Sequence, residues 1–180
     1  MALTKNKLIK FFKQYWAQYC ILNIYIVGLI GFLIPSIQQN WAYLTSFSLI
    51  TSLGIICFLH EPKSKKFFLT LLLVGILGFI LEVIGVKTGK LFGVYSYGKK
   101  LGPMLLEVPI MLAINWALLL YLTQFVAQKF TTNIIAIAII GAFLMVGIDF
   151  LIEPFAICFG LWQWENIHVP TQNYLMSVSY

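Results

Sequence analysis

The chain has 180 residues, of which 61% are hydrophobic and only 10% are charged, with a formal net charge of +6. Soluble domains carry about 25% charged residues, so the composition excludes an ordinary soluble protein and indicates one integral membrane domain over residues 1–180. All twelve basic residues are lysines beside apolar segments, which favours contact with the lipid bilayer over nucleic-acid binding.

Five apolar segments are long enough to cross a membrane, which takes about 20 residues each. We therefore predict an all-α fold, a multi-pass bundle of about five transmembrane helices, at roughly residues 17–37, 41–60, 67–86, 104–127 and 134–153. The first apolar segment follows a basic N-terminus and has no cleavage site, so we expect it to be a retained span. The lysine distribution among the links predicts a cytoplasmic N-terminus, and we expect a bacterial cytoplasmic membrane.

The link between the third and fourth spans, VKTGKLFGVYSYGKKLGP, is rich in glycine and in aromatic residues. This composition is too apolar for a solvated linker, so we predict a loop that packs against the ends of the helices.

Three carboxylates, Glu82, Asp149 and Glu153, lie at the ends of apolar segments. An ionised side chain in hydrocarbon costs several kcal/mol, which makes each of them a functional candidate. Helix alternation brings Glu82 and Asp149 to the same side of the membrane, together with the aromatic link. The alternatives are a helix-end acid at the interface for Asp149 and Glu153, and a partner of Lys87 for Glu82.

Asp149 and Glu153 are spaced i, i+4 and share one helical face. Repulsion between like charges favours a proton on one of the two, as a general acid requires. Pro154 is expected to end the helix directly after Glu153. Glu107, at the start of the fourth predicted span, is interpreted as an acid stabilised by the N-terminal helix dipole.

Several classes of membrane enzyme are excluded by residue counts. Two histidines cannot build a di-iron site, which needs about eight, and a single aspartate cannot form Asp-rich magnesium diphosphate motifs. The sequence contains neither GxGxxG nor a phosphate loop. Acid–base chemistry without a metal or cofactor remains.

Aromatic residues gather on the same side as the carboxylates and form either an interfacial belt or the wall of a site for an elongated apolar ligand. Aromatic faces also stabilise a carbocation. Asn115 and Asn173 are candidates for donating hydrogen bonds or positioning a water molecule, and for Asn115 a hydrogen bond between helices is the favoured interpretation. The candidate substrate-binding residues are Tyr95, Tyr97, Trp116, Trp162, Trp164 and Asn173.

Two blocks, EVIGVKTGKLFGVYSYGKKLGPMLLEVPIMLAINW and DFLIEPFAICFGLWQWENIHVPTQNY, resemble the integral-membrane carotenoid biosynthesis family. They cover residues 82–174. The resemblance implies that the first motif contains Glu82, Gly85, Gly89, Gly93, Tyr95 and Tyr97, followed by Pro109 and Trp116. The second contains Asp149, Pro154, Trp162, Trp164, Pro170 and Asn173. The family usually continues into a final span, which is expected to be absent from this chain.

Studied members of the family are carotenoid 1',2'-hydratases that act on linear end groups, such as the bacterioruberin-precursor hydratase and the γ-carotene hydratase. The resemblance therefore implies a linear carotenoid and water as substrates, and a hydro-lyase. We expect Asp149 or Glu153 to protonate the terminal alkene, its partner to steady the resulting cation, and Glu82 to orient or deprotonate water. The alternatives are a cyclase or isomerase that uses the same protonation, and a non-catalytic carotenoid-binding or transport protein.

Overall fold

The structure, a computed structural model, describes residues 5–165, with side chains from residue 15 onward. Its helices are α1 (Lys5–Leu33), α2 (Gln38–Trp41), α3 (Thr45–Leu59), α4 (Lys65–Thr88), α5 (Met111–Ala127) and α6 (Ile134–Cys158). In the described part of the chain, four stretches are long and apolar enough to span a membrane, and α5 is a shorter apolar helix. The predicted multi-pass helical bundle is confirmed.

Local caps fix both ends of α4 and the start of α6. Ser64 accepts a hydrogen bond from the Phe67 backbone N–H at 3.1 Å and starts α4. Gly89, with φ +62°, ends it in the left-handed conformation that glycine adopts without strain. Asn133 caps the start of α6 by accepting from two backbone N–H groups. These caps hold the acidic positions of both helices at fixed distances from the helix ends.

Helix α5 packs between α4 and α6, and a glycine brings α4 and α5 close together. A Cβ added at Gly75 would lie 2.8 Å from the backbone oxygen of Ala113, so only glycine permits this approach. Small residues serve the same purpose in many membrane helix pairs.

The predicted packed loop between the third and fourth spans is confirmed, and it contains a short strand. Strand β1 (Tyr95–Tyr97) pairs antiparallel with β4 (Trp162–Trp164), which follows α6. Phe92 and Leu101 are buried to either side of β1. The loop is thereby fixed to the end of α6 by backbone hydrogen bonds.

The predicted start of the fourth span at residue 104 is wrong. Residues 104–109 form a hairpin of β2 (Met104–Leu105) and β3 (Val108–Pro109), and α5 begins only at Met111. The residue before a proline is disfavoured in the helical region, which keeps Val108 out of a helix and favours a start of α5 after Pro109. Apolar composition alone did not reveal this turn.

The hairpin also corrects two interpretations of charged residues. Glu107 lies at the hairpin tip with φ +71° and is not at a helix N-terminus. Its carboxylate pairs with the Lys87 ammonium at 3.0 Å. Lys87 is therefore the partner of Glu107, and the alternative in which it pairs with Glu82 is wrong.

Helix α6 does not end at Glu153. It continues through Pro154 to Cys158, although proline removes one helical hydrogen bond. Packing compensates for this loss, because Ala156 and Phe159 are buried in the core cluster, and Phe159 contacts the ring of Phe32 from α1 at 4.5 Å between centroids.

Candidate active site

The three carboxylates singled out in the sequence line one cavity of about 100 Å³ at one end of the bundle. Glu82 comes from α4, whereas Asp149 and Glu153 come from α6. Helix α5 contributes Asn115 and Trp116, and the paired strands close the cavity with aromatic side chains. The cavity therefore combines three carboxylates and one asparagine with six aromatic and four aliphatic side chains.

Glu82 accepts hydrogen bonds from three neutral side chains. Its Oε2 accepts from the hydroxyl of Tyr95 at 2.6 Å and from that of Tyr97 at 2.8 Å. Its Oε1 accepts from Trp116 Nε1 at 3.1 Å. Both carboxylate oxygens are thus held in place by fixed donors, which come from the loop and from α5.

Two glycines let these donors reach Glu82. A Cβ at Gly78, one turn before Glu82, would lie 2.3 Å from the Trp116 ring. A Cβ at Gly85, almost one turn after Glu82, would lie 2.8 Å from the Tyr95 hydroxyl oxygen. Since residues at this spacing share one helix face, α4 presents a carboxylate between two positions that are bare of side chains.

Glu153 is held in the same manner from the other side of the cavity. Its side chain is buried, with 2% relative exposure. Its Oε1 accepts hydrogen bonds from Trp162 Nε1 at 2.7 Å and from Trp164 Nε1 at 2.5 Å. An indole N–H only donates, so this oxygen acts as an acceptor in either protonation state of the carboxyl group.

Four of these donors, two tyrosines of β1 and two tryptophans of β4, belong to one face of the β1–β4 ribbon. Tyr95 lies opposite Trp164, and Tyr97 lies opposite Trp162. Alternate residues of a strand, and residues directly opposite each other, share a face. A single register therefore directs two tyrosines to Glu82 and two tryptophans to Glu153.

The two loop tyrosines remain neutral donors. Burial raises the pKa of the Tyr95 phenol, and the Glu82 carboxylate raises it further. Burial likewise raises the pKa of Tyr97, again with Glu82 as the next cause. The hydroxyls therefore keep their protons, and their hydrogen bonds to Glu82, throughout the physiological pH range.

Asp149 lies one turn before Glu153 on α6 and lines the same cavity. Its side chain is half-buried, in contrast to the buried Glu153. It lies near enough to the loop to influence Tyr95 electrostatically. Asp149 therefore adds a third acidic group to the wall of the cavity.

Eight of the nine residues predicted for the site line this cavity, and Asn173 lies outside the described residues. Their roles stay predictions.

Sequence reasoning missed Gly78 as a residue that shapes the site. The available signal was the spacing of Gly75, Gly78, Glu82 and Gly85 at i, i+3, i+7 and i+10, which is a single helical face. Within residues 5–165, no cluster of three His, Cys, Asp or Glu side chains could hold a metal ion.

The comparisons with known proteins agree with the resemblance seen in the two sequence blocks. A family model described as carotenoid biosynthesis protein matches residues 39–176. A bisanhydrobacterioruberin hydratase of Haloarcula japonica is 26% identical over 154 residues, which cover 80% of this chain and 52% of that protein. The chain thus spans about half the length of this relative, and no solved structure matches it. Because the family model covers most of its length, the chain belongs to the carotenoid biosynthesis protein family.

Proposed function

We propose that the chain adds water to the terminal alkene of a linear carotenoid end group and forms a tertiary alcohol. The observation that carries this proposal is the cavity with three carboxylates and aromatic walls, in which neutral donors hold both glutamates. Membership in the carotenoid biosynthesis family supports a carotenoid substrate, and the relative named a hydratase supports the addition of water.

We assign the proton-donor role to Asp149. Asp149 and Glu153 share one face of α6 and both line the cavity. Asp149 is half-buried whereas Glu153 is buried, so Asp149 is the more accessible of the two to a substrate. The Asp149 carboxyl group transfers its proton to the less substituted alkene carbon. The carbon–carbon double bond breaks, a carbon–hydrogen bond forms, and a tertiary cation remains.

Glu82 stabilises this cation as a fixed negative charge. Its donors are neutral, so they orient the carboxylate without cancelling its charge. The faces of the surrounding Tyr and Trp rings add attraction for a cation. Groups preoriented toward a developing charge commonly provide the largest share of catalysis, and the paired strands and the glycine positions keep this arrangement rigid.

Water then attacks the cation and completes the reaction. We assign the attacking water to the Glu153 carboxyl group and the Asn115 amide, and this assignment is supported by the presence of both side chains in the cavity wall. A carbon–oxygen bond forms, and the oxonium proton passes to the Asp149 carboxylate. The sum is one water added, and Asp149 is protonated again for the next cycle.

Expression of the chain in a host that accumulates lycopene tests the proposal. The expected pigment has gained the mass of one water, and Asp149→Asn abolishes the gain while the protein still inserts into the membrane. Glu107→Gln is the matched control, because Glu107 is exposed at the hairpin tip, and it retains conversion. A product of unchanged mass but altered spectrum indicates cyclisation or isomerisation, and unaltered lycopene with an inserted protein contradicts an enzymatic role toward it.

A further inference from the structure

A second, larger cavity of about 390 Å³ lies between α4, α5 and α6. We call it the α4–α6 groove. Its walls are apolar or small side chains, except for Gln124 and for the indole N–H of Trp116, which already donates to Glu82. No ionisable side chain of the described residues lines it. The groove is therefore suited to a hydrocarbon.

The groove adjoins the carboxylate cavity. Trp116 and Met145 line both. From Trp116 to Gln124 helix α5 advances eight residues, which is about 12 Å at 1.5 Å per residue. The groove thus extends along the helices from the level of Trp116, away from the carboxylates.

Small residues on α6 keep the groove open. Ala138, Gly141 and Ala142 are spaced i, i+3 and i+4, followed by Met145 at i+7, and this is one helical face. A Cβ placed at Gly141 would meet only Thr123 Oγ1 at 3.8 Å, an ordinary contact. A longer side chain at this position would extend into the groove.

We propose that the α4–α6 groove binds the conjugated chain of the carotenoid whose end group occupies the carboxylate cavity. This inference rests on the proposed function, which sets the end group beside Asp149. From there the attached polyene must continue along an apolar path, and the groove shares two walls with the cavity. A rigid polyene matches an apolar groove that runs along helices. A phospholipid acyl chain has no alkene end group to place among the carboxylates.

Lycopene binding tests the inference without requiring any conversion. The full chain is purified in nanodiscs, and bound lycopene is measured by its visible absorption. Gly141→Leu is expected to weaken binding by about tenfold or more. Gly147→Leu, on the same helix, is the matched control, since a Cβ there meets nothing within 4 Å, and its binding stays at the wild-type level. If Gly141→Leu does not fold, binding is measured for Ala142→Leu instead. This variant fills the groove from a neighbouring position and is expected to weaken binding in the same way.

The outcomes separate the two proposals. If the wild type binds lycopene without hydrating it, and both groove variants lose binding, the groove inference stands and the proposed function fails. If both groove variants bind and hydrate lycopene like the wild type, the groove inference is overturned and the proposed function stands. Release of co-purified phospholipid by Gly141→Leu with unchanged lycopene binding identifies a lipid site and also overturns the inference.

Discussion

Two pairs of glutamates in this molecule have opposite kinds of partner. Glu107 and Glu61 are exposed, with side-chain exposures of 71% and 73%, and they face Lys87 at 3.0 Å and Lys63 at 4.0 Å. Glu82 and Glu153 line the cavity and accept hydrogen bonds only from neutral Tyr and Trp donors among the described residues.

In the proposed mechanism, this difference keeps a negative charge available in the cavity. A lysine partner cancels a carboxylate's charge, whereas a neutral donor stabilises the carboxylate and leaves its field in the cavity. In a low-dielectric cavity that field acts strongly on a nearby cation. Solvent screens the exposed pairs, which therefore contribute little to stability.

The largest difference in rate is expected when one glutamate of each pair loses its charge. Glu82→Gln is expected to lower hydration of lycopene about 100-fold, because the fixed charge facing the cation is lost. Glu107→Gln is expected to leave the rate within about twofold of the wild type, since an exposed pair contributes little. Pigment extracts taken over time from cells with equal amounts of each variant measure both rates. Equal losses in the two variants would contradict the distinction.

A smaller effect is expected when the donors of Glu82 are displaced without changing any charge. Gly78→Ala places a Cβ 2.3 Å from the Trp116 ring and is expected to destabilise the protein by about 1–3 kcal/mol through overpacking. Gly54→Ala is the control, because a Cβ there meets nothing within 4 Å. The control is expected to gain about 0.5–1 kcal/mol from helix propensity. Thermal unfolding in detergent measures the change in stability for both variants. If Gly78→Ala stabilises the protein, the position of the Trp116 ring does not require glycine at residue 78.

Removing one donor of Glu82 measures how much a single neutral hydrogen bond contributes to stability. Tyr97→Phe is expected to cost about 1 kcal/mol at neutral pH, because Glu82 keeps Tyr95 and Trp116 as donors.

The same variant has a pH signature. Burial raises the pKa of Tyr97 in the folded protein, so its contribution is full below the ordinary tyrosine pKa of about 10 and is lost as the pH rises above it. Unfolding experiments on both proteins between about pH 8 and pH 11 are expected to show a shallower alkaline decline for Tyr97→Phe. An equally steep decline would mean that Tyr97 is not held in its neutral form by the fold.

The smallest effect is expected for the exposed ion pair. Lys87→Met is expected to change the free energy of unfolding by less than about 1 kcal/mol and to leave lycopene hydration unchanged. Chemical unfolding of both proteins in the same detergent measures the first quantity. A loss of several kcal/mol would show that the hairpin depends on this pair.

The sequence predicts the membrane helices and the convergence of the site because both follow from long-range patterns. Apolar length marks the helices, and alternation alone brings Glu82 and Asp149 to one end. Details that depend on tertiary packing could not be predicted from the sequence. Apolar composition fits both a helix and the 104–109 hairpin, and packing of Phe159 offsets the helix-breaking tendency of Pro154.

The partners of the carboxylates were equally hidden from sequence reasoning. The Tyr-x-Tyr and Trp-x-Trp spacings mark two short strands, but only the β1–β4 register reveals that one pair serves Glu82 and the other serves Glu153. The role of Gly78 likewise depends on a tryptophan that lies 38 residues later, at position 116.

The source of the new hydroxyl group tests the central claim most directly. Cells that express the chain and accumulate lycopene are grown in water enriched in heavy oxygen, and the mass of the product pigment is measured, with Asp149→Asn as the comparison. Hydration predicts that the product of the wild type carries the heavy oxygen and that the variant forms no such product. A hydroxylated pigment without the heavy oxygen, or labelled pigment formed equally well by Asp149→Asn, would contradict the account.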